Sequence, residues 1–99
     1  MVKYYIEMTE EAKEDLYYFT PYERKLIISN IRAQLVHQPR DETKNRKKLR
    51  DNPVAPMELR SGKIRIFYEV NENSQMVSIL AVGYKEHNIL RIRGKEVKL

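Results

Sequence analysis

The segment from Met57 to Val70 restricts the fold more than any other part of the chain. Apolar and polar residues alternate on both sides of Ser61-Gly62, the period-2 pattern of two strands joined by a tight turn. A two-residue loop at Ser61-Gly62 pairs Arg60 with Lys63, Leu59 with Ile64, Glu58 with Arg65 and Met57 with Ile66. One face of this hairpin is then Met57, Leu59, Ile64, Ile66, Tyr68 and Val70, and it has to be covered. The other carries Glu58, Arg60, Lys63, Arg65, Phe67 and Glu69. Cations and an aromatic ring on one face suit a phosphate backbone with bases available for stacking. A solvated face with a Glu58–Arg65 ion pair across the strands accounts for the same pattern.

The rest of the chain supplies the cover. Tyr4, Ile6 and Met8 alternate with Tyr5 and Glu7, which predicts a first strand. Thr9 then caps a helix with Glu10 and Glu11 in its first turn, where the helix dipole favours carboxylates. Its apolar stripe is Ala12, Leu16 and Phe19. Thr20-Pro21-Tyr22-Glu23 is a full capping box with proline at the first helical position. The helix it opens is expected to bury Ile27, Ile28, Ile31 and Leu35 and to stop before Pro39. Beyond the central hairpin, Asn71 to Ser74 reads as a turn, and Met76 to Val82 as an apolar run ended by Gly83. Such a run suits an interior strand covered on much of both faces. Leu90 and Ile92 alternate with Arg91 and Arg93, permitting a further short strand.

These elements predict an α+β domain spanning residues 1–99: a small antiparallel sheet of about four strands, in the order β-α-α-β-β-β, with a helical hairpin packed on one face. The opposite face is expected to lie open. It is flanked by the basic tail and by a loop over residues 39–56, where Pro39, Pro53 and Pro56 interrupt any regular pattern. A long irregular loop in so small a domain is more often functional than not. Leu49 and Val54 are its anchors to the body.

Composition narrows the function. A net charge of +5 and a pI near 9.5 favour an anionic partner, nucleic acid or acidic protein. The absence of cysteine excludes disulfides and thiolate metal sites, and His37 and His87 show no metal-ligand spacing. Neither metal nor cofactor is expected. No apolar run approaches the roughly 20 residues of a membrane helix, and the first residues lead directly into patterned sequence, so a cytoplasmic location is expected.

Several segments together resemble the RelE/ParE superfamily, the toxin halves of toxin–antitoxin pairs. They are Tyr4-Tyr5-Ile6 with Thr9, Ala12 and Leu16; Ile31 to Leu35; Pro39; Thr43 to Leu49; Glu58-Leu59-Arg60-x-Gly62-x-x-Arg65-x-Phe67-Tyr68-x-Val70; and Ala81-Val82-Gly83-x-Lys85. The resemblance runs in order over nearly the whole chain. It implies a small sheet with a helical hairpin on one side, and an antitoxin protein as partner. In the RelE-like branch it implies cleavage of mRNA on the ribosome; in the ParE-like branch, inhibition of DNA gyrase.

Metal-free RNA cleavage requires a base for the 2′-hydroxyl, a charge partner for the phosphorane and an acid for the departing 5′-oxygen. The resemblance assigns the phosphorane charge to Arg65, whose planar fork matches two phosphate oxygens. Arg60 is a second phosphate ligand. Lys85 matches a position held by arginine or histidine in nucleolytic relatives, and Tyr84 and His87 lie beside it. Glu58 is the candidate base, because Pro56 and Glu58 stand where RelE-like enzymes commonly have lysines. Arg91 falls about where those nucleases carry a C-terminal tyrosine. The expected RNA-binding set is Lys44, Arg46, Lys47, Lys48 and Arg50 of the loop, with Lys63, Phe67, Tyr84, His87 and Arg91. Three readings follow: a ribosome-dependent mRNA endonuclease, a ParE-like gyrase inhibitor, and a member that only binds antitoxin or RNA.

Overall fold

In a computed structural model, which describes residues 2–99, the two threonines start the two helices as expected. Thr9 Oγ1 accepts from the Ala12 N–H, opening α1 (Glu10–Asp15), which tightens into a 3₁₀ turn over Leu16–Tyr18. Thr20 and Glu23 exchange both bonds of the capping box, at 3.2 and 2.8 Å, and start α2 (Pro21–Gln34). Strand β1 (Tyr5–Met8) precedes the helices; β2 (Arg46–Lys48), β3 (Met57–Ser61), β4 (Ile64–Asn71), β5 (Met76–Glu86), β6 (Ile89–Ile92) and β7 (Lys95–Glu96) follow.

The strands form a single sheet in the order β2-β3-β4-β5-β6-β7, with β1 parallel to β5. The expected architecture holds, with three additions. The basic loop contributes a short strand, β2; the tail forms a complete hairpin, β6–β7; and β1 makes the sheet mixed. The turn between β3 and β4 is Gly62-Lys63 rather than Ser61-Gly62, so Glu58 lies opposite Phe67 and Arg60 opposite Arg65. Gly62 takes φ +59° at the first central position, the type II′ arrangement that suits the right-handed twist of a hairpin. The register therefore moves two residues along β4 and leaves every side chain on its expected face.

Met57, Leu59, Ile66 and Tyr68 pack with Val77, Ile79 and Val82 of β5 under Ala12, Phe19, Ile27, Ile31 and Leu35 of the helices. The opposite face is not open. Phe67, Ala81 and Leu90 are buried there with Ala55, and Leu49, Val54, Leu80, Ile92 and Val97 close over them. A bulge in β5 explains the second cluster. Phe67 pairs with Ala81 but Tyr68 pairs with Ile79, so Leu80 is the extra residue and projects to the far side with Ala81. The unbroken apolar run of β5 thus feeds two cores.

Two details lock the tail to this frame. Ile92 and the Arg91 carbonyl cross directly over Gly83, where a Cβ would collide with that oxygen. Between the stretches of β5 paired with β1 and with β6, the Val82 N–H donates to Asp15 Oδ2 at 2.9 Å. Asp15 is buried at the end of α1, and its Oδ1 lies 3.0 Å from Nε of Arg93, in the β6–β7 turn.

Candidate functional site

Sheet register decides which charged side chains share a face. Lys47 lies opposite Glu58, and Arg60 opposite Arg65, so these four project from the side away from the helices. Lys85, two residues beyond Gly83 on β5, joins them, with its N–H bonded to the Lys63 carbonyl at 2.7 Å. Lys63 itself reaches Glu86 at 2.8 Å.

Glu58 organises the cluster. Its carboxylate is buried, with one oxygen 2.8 Å from Nε of Arg60 and the other 3.9 Å from Nε of Arg65. Arg60 uses Nε for this bond, and its side chain remains 39% exposed. Arg65 is different: its side chain is only 14% exposed and its Nη1 donates to the carbonyls of Gly62 and Ile64, at 2.6 and 3.1 Å. Burial lowers the pKa of this guanidinium, with Arg60 adding to the effect and Glu58 opposing it. Arg65 therefore braces the β3–β4 turn. Chemically, the face offers Lys47, Arg60 and Lys85 to an anion, with Lys63 paired to Glu86 and Glu58 already committed to the two arginines.

Several expected site residues lie elsewhere. Phe67, expected to stack on bases, is fully buried in the second core. Arg46 is buried on the helix side, opposite Leu59, and its Nη1 donates to the carbonyls of Gln34, the last residue of α2, and of His37 just beyond it. It supplies the positive charge that a helix C-terminus favours. Tyr84 packs into the main core, edge-on to Phe19 with ring centroids 6.5 Å apart. Arg91 pairs with Tyr84 and so shares that side of the sheet. Lys48 lies opposite Met57, also on the helix side, yet exposed. Lys44 and Arg50 are exposed on either flank of β2, and His87 is exposed in the β5–β6 turn at φ +53°. Of the fourteen expected positions, the exposed or half-exposed cations that share one face are Lys47, Arg60 and Lys85, while Lys63, in the β3–β4 turn, is paired with Glu86.

The pair that sequence reasoning missed is Asp15 with Arg93. Its signal was present: Asp15 lies one turn from Ala12 and Phe19, a carboxylate on an apolar stripe. Burial raises the Asp15 pKa, against the opposing pull of the Val82 N–H and of Arg93.

Residues 6–89 match the family described as ParE toxin of type II toxin-antitoxin system, parDE. No curated protein matches the chain. A chain of the crystal structure of the toxin–antitoxin complex RelBE2 from Mycobacterium tuberculosis superposes with a TM-score of 0.73. At 24% identity, the alignment covers 85% of this chain and 100% of that one.

Proposed function

The chain belongs to the ParE toxin family of type II toxin–antitoxin systems, and on that footing we propose that it arrests translation by docking its basic face on RNA of the translating ribosome. The observation that carries this reading is the register that gathers Lys47, Arg60 and Lys85 on one side of the sheet. Phosphate contacts of this kind position a protein on RNA without reading sequence. A cognate antitoxin covering the same cations would silence it.

Binding is better supported than cutting. Attack by a 2′-hydroxyl needs a base within hydrogen-bond reach. Glu58, the expected base, is buried, with its two oxygens facing the guanidiniums of Arg60 and Arg65 and not a solvent-open cleft. Arg65, the expected phosphorane ligand, has its Nη1 turned to its own backbone. The ParE-like reading, inhibition of gyrase without nuclease action, draws on the same two side chains.

Translating extracts separate the readings. The expected result is stalled ribosomes that retain the protein, with intact mRNA when 5′ ends are mapped. Codon-linked cuts lost on Glu58→Gln would replace the binding reading with the nuclease. Normal translation together with gyrase-dependent DNA breaks would replace it with the ParE-like one.

A further inference from the structure

We propose that Glu58 is a positioning residue, whose buried carboxylate holds Arg60 by Nε so that its two Nη groups present a fixed pair of donors to an RNA phosphate. The inference rests on the RNA reading and deepens it. An arginine side chain is long, and one without an anchor loses rotamer freedom when it binds. Arg60 is anchored twice. Its N–H donates to the carbonyl of Asn45, the residue before β2, at 2.7 Å, and its Nε donates to Glu58 Oε2 at 2.8 Å. The anchor is itself fixed. Glu58 is buried, lies between β2 and β4, and shares a face with Arg60 because the two are two residues apart on one strand. Among the described residues neither Nη of Arg60 has an acceptor, and the side chain is partly exposed. The Nη1–Nη2 edge is the one that matches two phosphate oxygens, and the carboxylate leaves it free.

No neighbouring cation can take this part. Arg65, opposite Arg60, commits Nη1 to the carbonyls of Gly62 and Ile64. Lys47 and Lys85 are point charges without a fork. Glu58 also lies between two guanidiniums on directly opposed positions, 2.8 Å from Nε of one and 3.9 Å from Nε of the other, where like charges alone would repel. This accounts for a carboxylate in the middle of a face that suits an anion. By its charge Glu58 opposes a phosphate; by orienting Arg60 it favours one. The two effects have opposite signs and can be separated.

The test is the binding of a short oligouridine to the full chain, followed by fluorescence anisotropy over a range of salt concentrations. Glu58→Gln and Glu58→Ala remove the same charge, but only glutamine keeps an oxygen for Arg60 Nε. The glutamine variant should keep the parent's affinity. The alanine variant should bind about tenfold more weakly than the glutamine variant, with a log–log salt slope shallower by roughly 0.7, one phosphate contact. In an Arg60→Lys background, which keeps the charge and removes the fork, the glutamine and alanine variants should bind alike. Arg60→Lys alone, at a half-exposed position, should show the same tenfold loss, so the question is answered even where Glu58→Ala does not fold. Three outcomes overturn the inference alone: equal binding by the glutamine and alanine variants, a difference between them that persists with Arg60→Lys, or parent-like binding by Arg60→Lys. A parent chain that does not bind the oligouridine overturns the RNA reading together with it.

Discussion

Asp15 is the residue on which local chemistry bears most directly. Its carboxylate satisfies the Val82 N–H in the gap along β5 between its partners β1 and β6, so Asp15→Ala leaves a buried donor without a partner. We expect a loss of about 1–3 kcal/mol in urea melts. Asp15→Asn keeps an acceptor oxygen and should lose less. The pH dependence has an unusual sign. Because burial raises the Asp15 pKa above 3.8, the folded state holds the proton where the unfolded state releases it. Stability from this group is complete below that value and declines as pH rises through the raised one. Relative to Asp15→Asn, the parent protein should therefore be more stable near pH 4 than at neutrality. Tyr68 acts likewise at the alkaline end. Burial pushes its phenol up to about 12, with Arg46 opposing, and its hydroxyl donates to the Pro39 carbonyl at 2.7 Å. Stability should fall as pH climbs from the ordinary tyrosine value of 10.0 towards that figure. Tyr68→Phe should lose about 1 kcal/mol at neutrality and flatten that alkaline decline.

At the scale of elements, the C-terminal hairpin is the piece whose docking depends on one missing side chain. Arg91 and Ile92 pass over Gly83 more closely than a Cβ permits, and the nearest atom is a backbone carbonyl with no freedom to rotate away. Gly83→Ala should destabilise the protein by about 1–3 kcal/mol, the cost of overpacking. Amide exchange should quicken over β6 and β7 and stay slow in β3 and β4. Exchange that quickens uniformly would show that the hairpin and the sheet open together. This contact gives the Val-Gly-x-Lys segment a physical meaning: the glycine admits the tail, and the lysine then emerges beside the site.

Across the whole molecule, a net charge of +5 is divided between cations that face solvent and cations that hold the fold. Lys47 and Lys85 belong to the first group; Arg46 and Arg65 belong to the second. Lys47→Ala with Lys85→Ala should flatten the salt dependence of RNA binding by roughly 1.4 in log–log slope, about 0.7 for each phosphate contact to a single strand. Arg46→Ala should leave that slope unchanged and lower the melting temperature, since it removes donors to carbonyls at the end of α2. A slope altered by Arg46→Ala would place that side chain on the RNA after all.

Alternation along Met57–Val70 assigned every side chain to its face, and that assignment survived a two-residue error in register because the strand period is two. The Thr9 cap, the Thr20–Glu23 capping box and the end of α2 before Pro39 were equally local matters, decided by residues three or four apart. What lies over a face is not a local property. The burial of Phe67 and the inward turn of Arg46 depend on the loop at 49–56, on the tail and on the end of α2, all remote in sequence. The apolar run from Met76 to Val82 did imply two covered faces, against the expectation of an open one. Residue order alone thus determined the two sides of the sheet. Only tertiary packing decided which cations remain free to meet an anion, because that depends on which distant segments exclude water from each side.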